Sequence, residues 1–176
     1  MSSVFPRRIF SRRDILKVFA GHMKQDATPA SQTGIDPLSR SIDQHIEIGD
    51  YDQAVEKLKA LLQKSPDHIQ AHRKLGFCLL QIGHTVEAEK VFAGILRHLP
   101  HDPFSLLHQG LNLAQQNRLT EAIDLWRQYL NTDQPIIQRA VNLQIALHET
   151  GAPADPQEVA DQILTAIANQ QTMDHE

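Results

Sequence analysis

The sequence predicts an all-α protein, an α-α solenoid of three helix pairs closed by a C-terminal helical hairpin. Three observations carry that prediction. Small residues suited to a tight turn recur every 34 positions, at Gly49, Gly83 and Asn117. Alanines recur at the same interval, at Ala54, Ala88 and Ala122, and a large apolar residue follows each by four, at Leu58, Phe92 and Trp126.

Each recurring position has a physical reading. Glycine adopts a left-handed backbone freely and asparagine tolerates it, so Gly49, Gly83 and Asn117 mark where a first helix ends and the chain reverses. The alanines that follow let the second helix of a pair lie close to the first, because interaxial distance depends on side-chain size at the crossing. Leu58, Phe92 and Trp126 then fall on the same helical face and are expected to fill the space between pairs. Pro66 and Pro100, with a third proline displaced by one at Pro135, stop one pair and allow the next to begin.

Taken together, these positions resemble the tetratricopeptide-repeat family, whose unit is two antiparallel helices. Residues 69–102 match best, through Leu75, Gly76, Leu79, Gly83, Ala88, Phe92 and Pro100. The third unit keeps Gly110, Leu113, Ala122 and Trp126, whereas Ser41, Ile42 and His45 weaken the first. The three repeats are expected over residues 35–134. Beyond Pro135 the period fails, but PIIQRAVNLQIALHET and DPQEVADQILTAIANQQ each read as a helix, the second with Asp155 and Glu158 as a capping box and Pro156 at its first position. Residues 135–176 are therefore expected to be a degenerate fourth pair that caps the array.

Composition narrows the function. The chain has 176 residues, of which 41% are apolar, and a net charge of −4, as an ordinary folded chain does. A single cysteine, Cys78, cannot form an intrachain disulfide, and no run nears the roughly 20 apolar residues of a membrane-spanning helix. There is no glycine-rich phosphate loop, and no carboxylate pair with a structural reason to act as acid and base. The expectation is a non-enzymatic chain with no cofactor and no metal. His68 and His72 are one helical turn apart, and His98 and His101 lie near the following loop, but no cysteine or carboxylate accompanies them in a ligand spacing, so exposed histidines are expected. Cys78 is read as a packing residue.

The resemblance implies a scaffold that binds a protein or peptide partner along its first helices. Helical spacing places Ser39, Asp43 and Ile46 on that face of the first helix, Gln70, Arg73, Phe77 and Leu80 on the second, and Phe104, Leu107, Leu111 and Ala114 on the third. Cations are too few there for a carboxylate clamp. Phe77, Leu80, Phe104, Leu107 and Leu111 instead suggest an apolar slot for an amphipathic segment, with Arg73 setting its orientation. The alternative is that these side chains pack against neighbouring first helices and line nothing. A homo-oligomeric scaffold, paired through outer faces, is the competing class.

Charge is unevenly spread. Residues 1–24 hold Arg7, Arg8, Arg12, Arg13, Lys17 and Lys24 against Asp14, a net +5, which leaves −9 for the remainder of a −4 chain. Within this arm, SRRDILKV resembles the twin-arginine export motif through Ser11, Arg12, Arg13, Ile15, Leu16 and Lys17. The apolar core that should follow is broken by His22, Lys24, Gln25 and Asp26, so export is not expected. Read physically, Ile15, Leu16, Phe19 and Met23 form one stripe beside Arg12, Arg13 and Lys17, a short basic amphipathic helix. Such a helix can dock on a partner, on an anionic membrane surface, or on this chain's own groove. Residues 25–34 read as a tether. The acidic body argues against nucleic acid as a ligand. The expected location is the cytoplasm, peripheral to the membrane if the arm binds lipid, with export or an organelle as the alternatives that the arm leaves open.

Overall fold

The computed structural model describes residues 37–152 and 154–173. The arm at 1–24 with Arg12, Arg13, Ile15, Leu16, Lys17 and Phe19, and the tether at 25–34, lie outside the described residues. Within the described residues all regular structure is helical. Three pairs follow in order: α1 (Pro37–Ile48) with α2 (Tyr51–Lys64), α3 (Ile69–Gln81) with α4 (Thr85–His98), and α5 (Pro103–Gln115) with α6 (Leu119–Trp126). A hairpin of α7 (Pro135–Glu149) and α8 (Pro156–Met173) completes the chain.

The three turns are the same object. Gly49, Gly83 and Asn117 have φ of 81°, 78° and 61°. After each, an N–H reaches back to close the helix end: Asp50 to the His45 carbonyl at 2.8 Å, His84 to Leu79 at 2.8 Å, and Arg118 to Leu113 at 2.9 Å. This pattern satisfies carbonyls that the helix end would otherwise leave unpaired. Helix starts are capped by side chains, with Asp102 accepting from the Ser105 N–H at 2.9 Å and His68 Nδ1 from Ala71 at 3.2 Å.

Ala54, Ala88 and Ala122 are fully enclosed, as are Leu58, Phe92 and Trp126. The large residues do more within a pair than the sequence reading allowed. A Cβ on Gly76 would stand 2.6 Å from the Phe92 ring, and one on Gly110 would stand 2.1 Å from Trp126 Nε1. These glycines are the sockets into which the second helix of the same pair inserts its aromatic ring. Trp126 Nε1 also donates to the Leu107 carbonyl at 3.3 Å, which satisfies the one polar atom of a fully buried indole.

The array then changes. α2 and α4 have 14 residues each, but α6 stops after eight. Tyr129 turns inward and is buried, and the Gln138 side chain of α7 holds the new path, donating to the Tyr129 carbonyl at 3.3 Å and accepting from the Asn131 N–H at 2.7 Å. α7 packs on α6 and α8, while α8 lies along α5. Gln157 at the start of α8 donates to the Gln115 carbonyl at the end of α5, at 2.8 Å, and Gln170 near the end of α8 accepts from the Ile136 N–H at 2.9 Å. With α3, α4, α6 and α8 in contact with it, α5 is buried at every position from Phe104 to Ala114. Two cores result, one running from Ile42 to Phe104 and one from Leu106 to Ile167.

Candidate functional site

The first helices α1, α3 and α5 form one row, tied together by charge. Lys74 of α3 bridges to Asp43 of α1, and Arg73 bridges to Asp102, the cap of α5. The second bridge is the enclosed one, with side-chain exposures of 12% for Arg73 and 1% for Asp102. Asp102 therefore serves two ends at once: it accepts from the first turn of α5 and from the guanidinium of α3. Arg73, expected to orient a partner, is held by this structural contact.

The apolar slot expected along the row needs correction. Phe77, Phe104, Leu107 and Leu111 are 3%, 1%, 0% and 4% exposed, so they are packing side chains and do not form an open row. The physical reason is that α5 is enclosed by its neighbours, with α8 laid along it, an arrangement that helical spacing alone does not reveal. Phe77 meets Tyr51 edge-on at 6.1 Å and His108 at 5.9 Å, while His108 stacks on Phe104 at 4.1 Å. His108 Nδ1 also lies 2.9 Å from the Phe104 carbonyl, so the imidazole is part of the helix-to-helix packing. Of the six proposed contacts, Leu80 is the apolar one that keeps partial exposure. It stands in the last turn of α3, the helix that the Lys74–Asp43 bridge joins to α1.

Two residues that shape this face were not singled out from the sequence. Asp102 carried a signal, an acidic residue just before Pro103 at a helix start. His108 carried none, since nothing local distinguishes a buried imidazole from an exposed one. Cys78 is buried and its thiol is pushed up to about 12 by burial, which removes it as a nucleophile near neutral pH. His68 caps α3 and His72 lies 2.7 Å from the Pro66 carbonyl. Among the described residues no group of three or more histidine, cysteine or carboxylate side chains could hold a metal ion, and no helix is long and apolar enough to cross a membrane.

A second apolar surface lies on α7. Ile136, Ala140, Leu143 and Leu147 follow one helical line, with Leu143 54% and Leu147 40% exposed. A shallow hollow of about 560 Å³ opens there, lined by Ile136, Arg139, Ala140, Asn142 and Leu143.

Comparison with known proteins agrees with this geometry over part of the chain. No solved structure matches it significantly. Human aspartyl/asparaginyl beta-hydroxylase is 29% identical over 98 residues, covering 56% of this chain and 13% of the relative. The mouse protein of the same name is 30% identical over 78 residues, covering 44% of this chain and 10% of the relative. The chain thus spans a small part of the length of these relatives. Residues 45–105, from the last turn of α1 to the start of α5, match the tetratricopeptide-repeat family.

Proposed function

We propose that this protein is a non-enzymatic scaffold that holds a polypeptide segment against the α1–α3 part of its first-helix row. The observation that carries the reading is the repeated helix pair itself, matched to the tetratricopeptide-repeat family over residues 45–105, which take in α2, α3 and α4 whole. Leu80 supplies apolar contact, and the Lys74–Asp43 pair, which joins α3 to α1, supplies polar contact. Phe77 and Phe104, in the core that Leu80 packs against, act as its support, while Leu107 and Leu111 belong to the second core. The similarity to aspartyl/asparaginyl beta-hydroxylase covers too little of those enzymes to carry their chemistry to this chain.

The test is capture of partners by the tagged full-length chain, compared with Leu80→Asp after circular dichroism shows the variant folded. Loss of the same partners supports the surface; undiminished capture by a folded variant removes it. The exposed line on α7 favours a second reading, a homo-oligomeric scaffold paired through that helix. Light scattering decides it, because a mass that stays monomeric at rising concentration excludes such pairing.

A further inference from the structure

A helical hairpin that caps an array needs a polar outer face, and α7 does not supply it. Its Gln138 and Glu149 side chains reach back to Tyr129 and Arg127, at the end of α6 and just after it, and its Gln144 meets Gln162 of α8. The line of Ile136, Ala140, Leu143 and Leu147 lies about half a turn round the helix from Gln138 and Glu149. It therefore faces away from α6, on the side where a further helix pair would stack if the array continued. We infer that α7 pairs with α7 of a second copy, antiparallel about a two-fold axis, and joins two arrays tail to tail. The inference rests on the second reading above and supplies its geometry, and it leaves Leu80 at the far part of each array open to a partner.

The spacing of the line points to a helix as its occupant. Ile136, Ala140, Leu143 and Leu147 follow one another at intervals of four, three and four, as the seam positions of a coiled coil do. In such a seam each large side chain enters a hole made by four residues of the facing helix. The hollow on α7 has that form. Ile136, Arg139, Ala140 and Leu143 surround it, with Asn142 at its rim, and all of them belong to α7. Ala140 is the small residue within it, and Leu143, 54% exposed, is the matching knob.

Symmetry selects a second copy. Ile136 stands as far before the point between Val141 and Asn142 as Leu147 stands after it, and Ala140 as far before that point as Leu143 after it. The point adjoins Asn142, the middle residue of α7. An antiparallel copy thus sets Leu143 of each chain over the Ala140 hollow of the other and Ile136 against Leu147, in four layers along nearly the whole helix. Small meets large in the two inner layers, as dense packing requires. A parallel pair would face Ala140 with Ala140 and leave a void in the seam. Antiparallel helices also place the positive start of each α7 beside the negative end of the other. Arg139 flanks the seam, with its counterpart about 7.5 Å away along the axis at 1.5 Å per residue, and its exposed guanidinium stays in water.

Area sets the strength. One helix on one helix covers less than the roughly 800 Å² per partner of a stable interface, so the pairing is reversible, with half-association on the order of 100 µM. A dimer of this kind links two first-helix rows, and a polypeptide with two recognised segments gains from both.

Sedimentation velocity on the full-length chain from about 5 to 500 µM tests the inference. The wild-type mass should rise toward twice that of the monomer and no further, because a two-fold pair is closed. Leu143→Asp, at an exposed position, should stay monomeric with an unchanged circular-dichroism melt. Ile136→Lys and Leu147→Glu should each be monomeric, and the double variant should regain association, since the antiparallel register brings the two new opposite charges together. Ala140→Lys/Leu143→Glu asks the same of the inner layers if the half-buried Ile136 does not tolerate the change. A wild-type mass that stays monomeric removes both the inference and the homo-oligomer reading. Association that Leu143→Asp leaves intact, or that grows beyond a dimer, overturns the inference. Pairing that Leu143→Asp abolishes but the folded charge-pair variants do not regain overturns the antiparallel geometry while α7 stands as the pairing helix.

Discussion

From α1 to α4 the chain stacks pair on pair in a 34-residue register, with Gly76 receiving Phe92 and a matching turn at Gly49 and Gly83. From α5 onward the same parts appear, Gly110 receiving Trp126 and a third turn at Asn117, but α6 stops early and α8 turns back along α5. The difference shows how a stacked array ends. A repeat buries its apolar face only against a neighbour, so the last pair needs a cover of another shape, and that cover changes which first-helix side chains a partner can meet.

The largest effect should separate α5 from α3. Leu107→Asp places a carboxylate on a fully buried site and should cost more than about 4 kcal/mol or abolish folding, whereas Leu80→Asp should keep a cooperative melt. Thermal denaturation of the two variants checks this, and equal melts would contradict the enclosure of α5.

Next is the tie between the halves. Arg73→Ala leaves the Asp102 carboxylate buried without its cation and should cost about 2–3 kcal/mol. In a double-mutant cycle with Asp102→Asn, the two changes should be strongly non-additive. Smaller still is the hairpin contact: Gln170→Leu leaves the Ile136 N–H without its acceptor and should cost about 1–2 kcal/mol in urea unfolding.

The smallest effect is at the surface. Arg118 contacts Glu121 at 2.6 Å and Glu89 at 2.9 Å, and the hydrogen bonds from Arg118 hold the Glu121 carboxyl below its ordinary value. A depressed carboxylate stabilises the fold at neutral pH and loses that contribution as pH falls below its ordinary range toward the lowered value. Because Glu121 is exposed and salt screens such pairs, Glu121→Gln should change stability slightly at pH 7 and progressively less as pH falls through the acid range.

Much of the fold was legible because its signals are local. Gly49, Gly83 and Asn117 announce a backbone conformation, and Pro156 announces a helix start; both are read from the residue itself. The end of α6 was not legible, because LTEAIDLWRQYL continues as a helical pattern and the stop is made by Gln138, from the next helix. The site was legible only as a face. Spacing put Phe77, Leu80, Phe104, Leu107 and Leu111 on one side of their helices, but whether a side chain there is open or buried depends on how many helices lie over it.

The most direct test asks whether α8 is a fixed wall or a lid. Gln115→Cys/Gln157→Cys, joined by a short bis-maleimide, would lock α8 to α5, while the buried Cys78 stays unreactive in the folded chain. If the cross-linked protein captures the same partners as the unlinked one, α8 closes the array permanently and recognition belongs to the α1–α3 part of the row. If cross-linking abolishes capture, α8 must leave α5 for a partner to bind, and the division between an open and a closed half is contradicted.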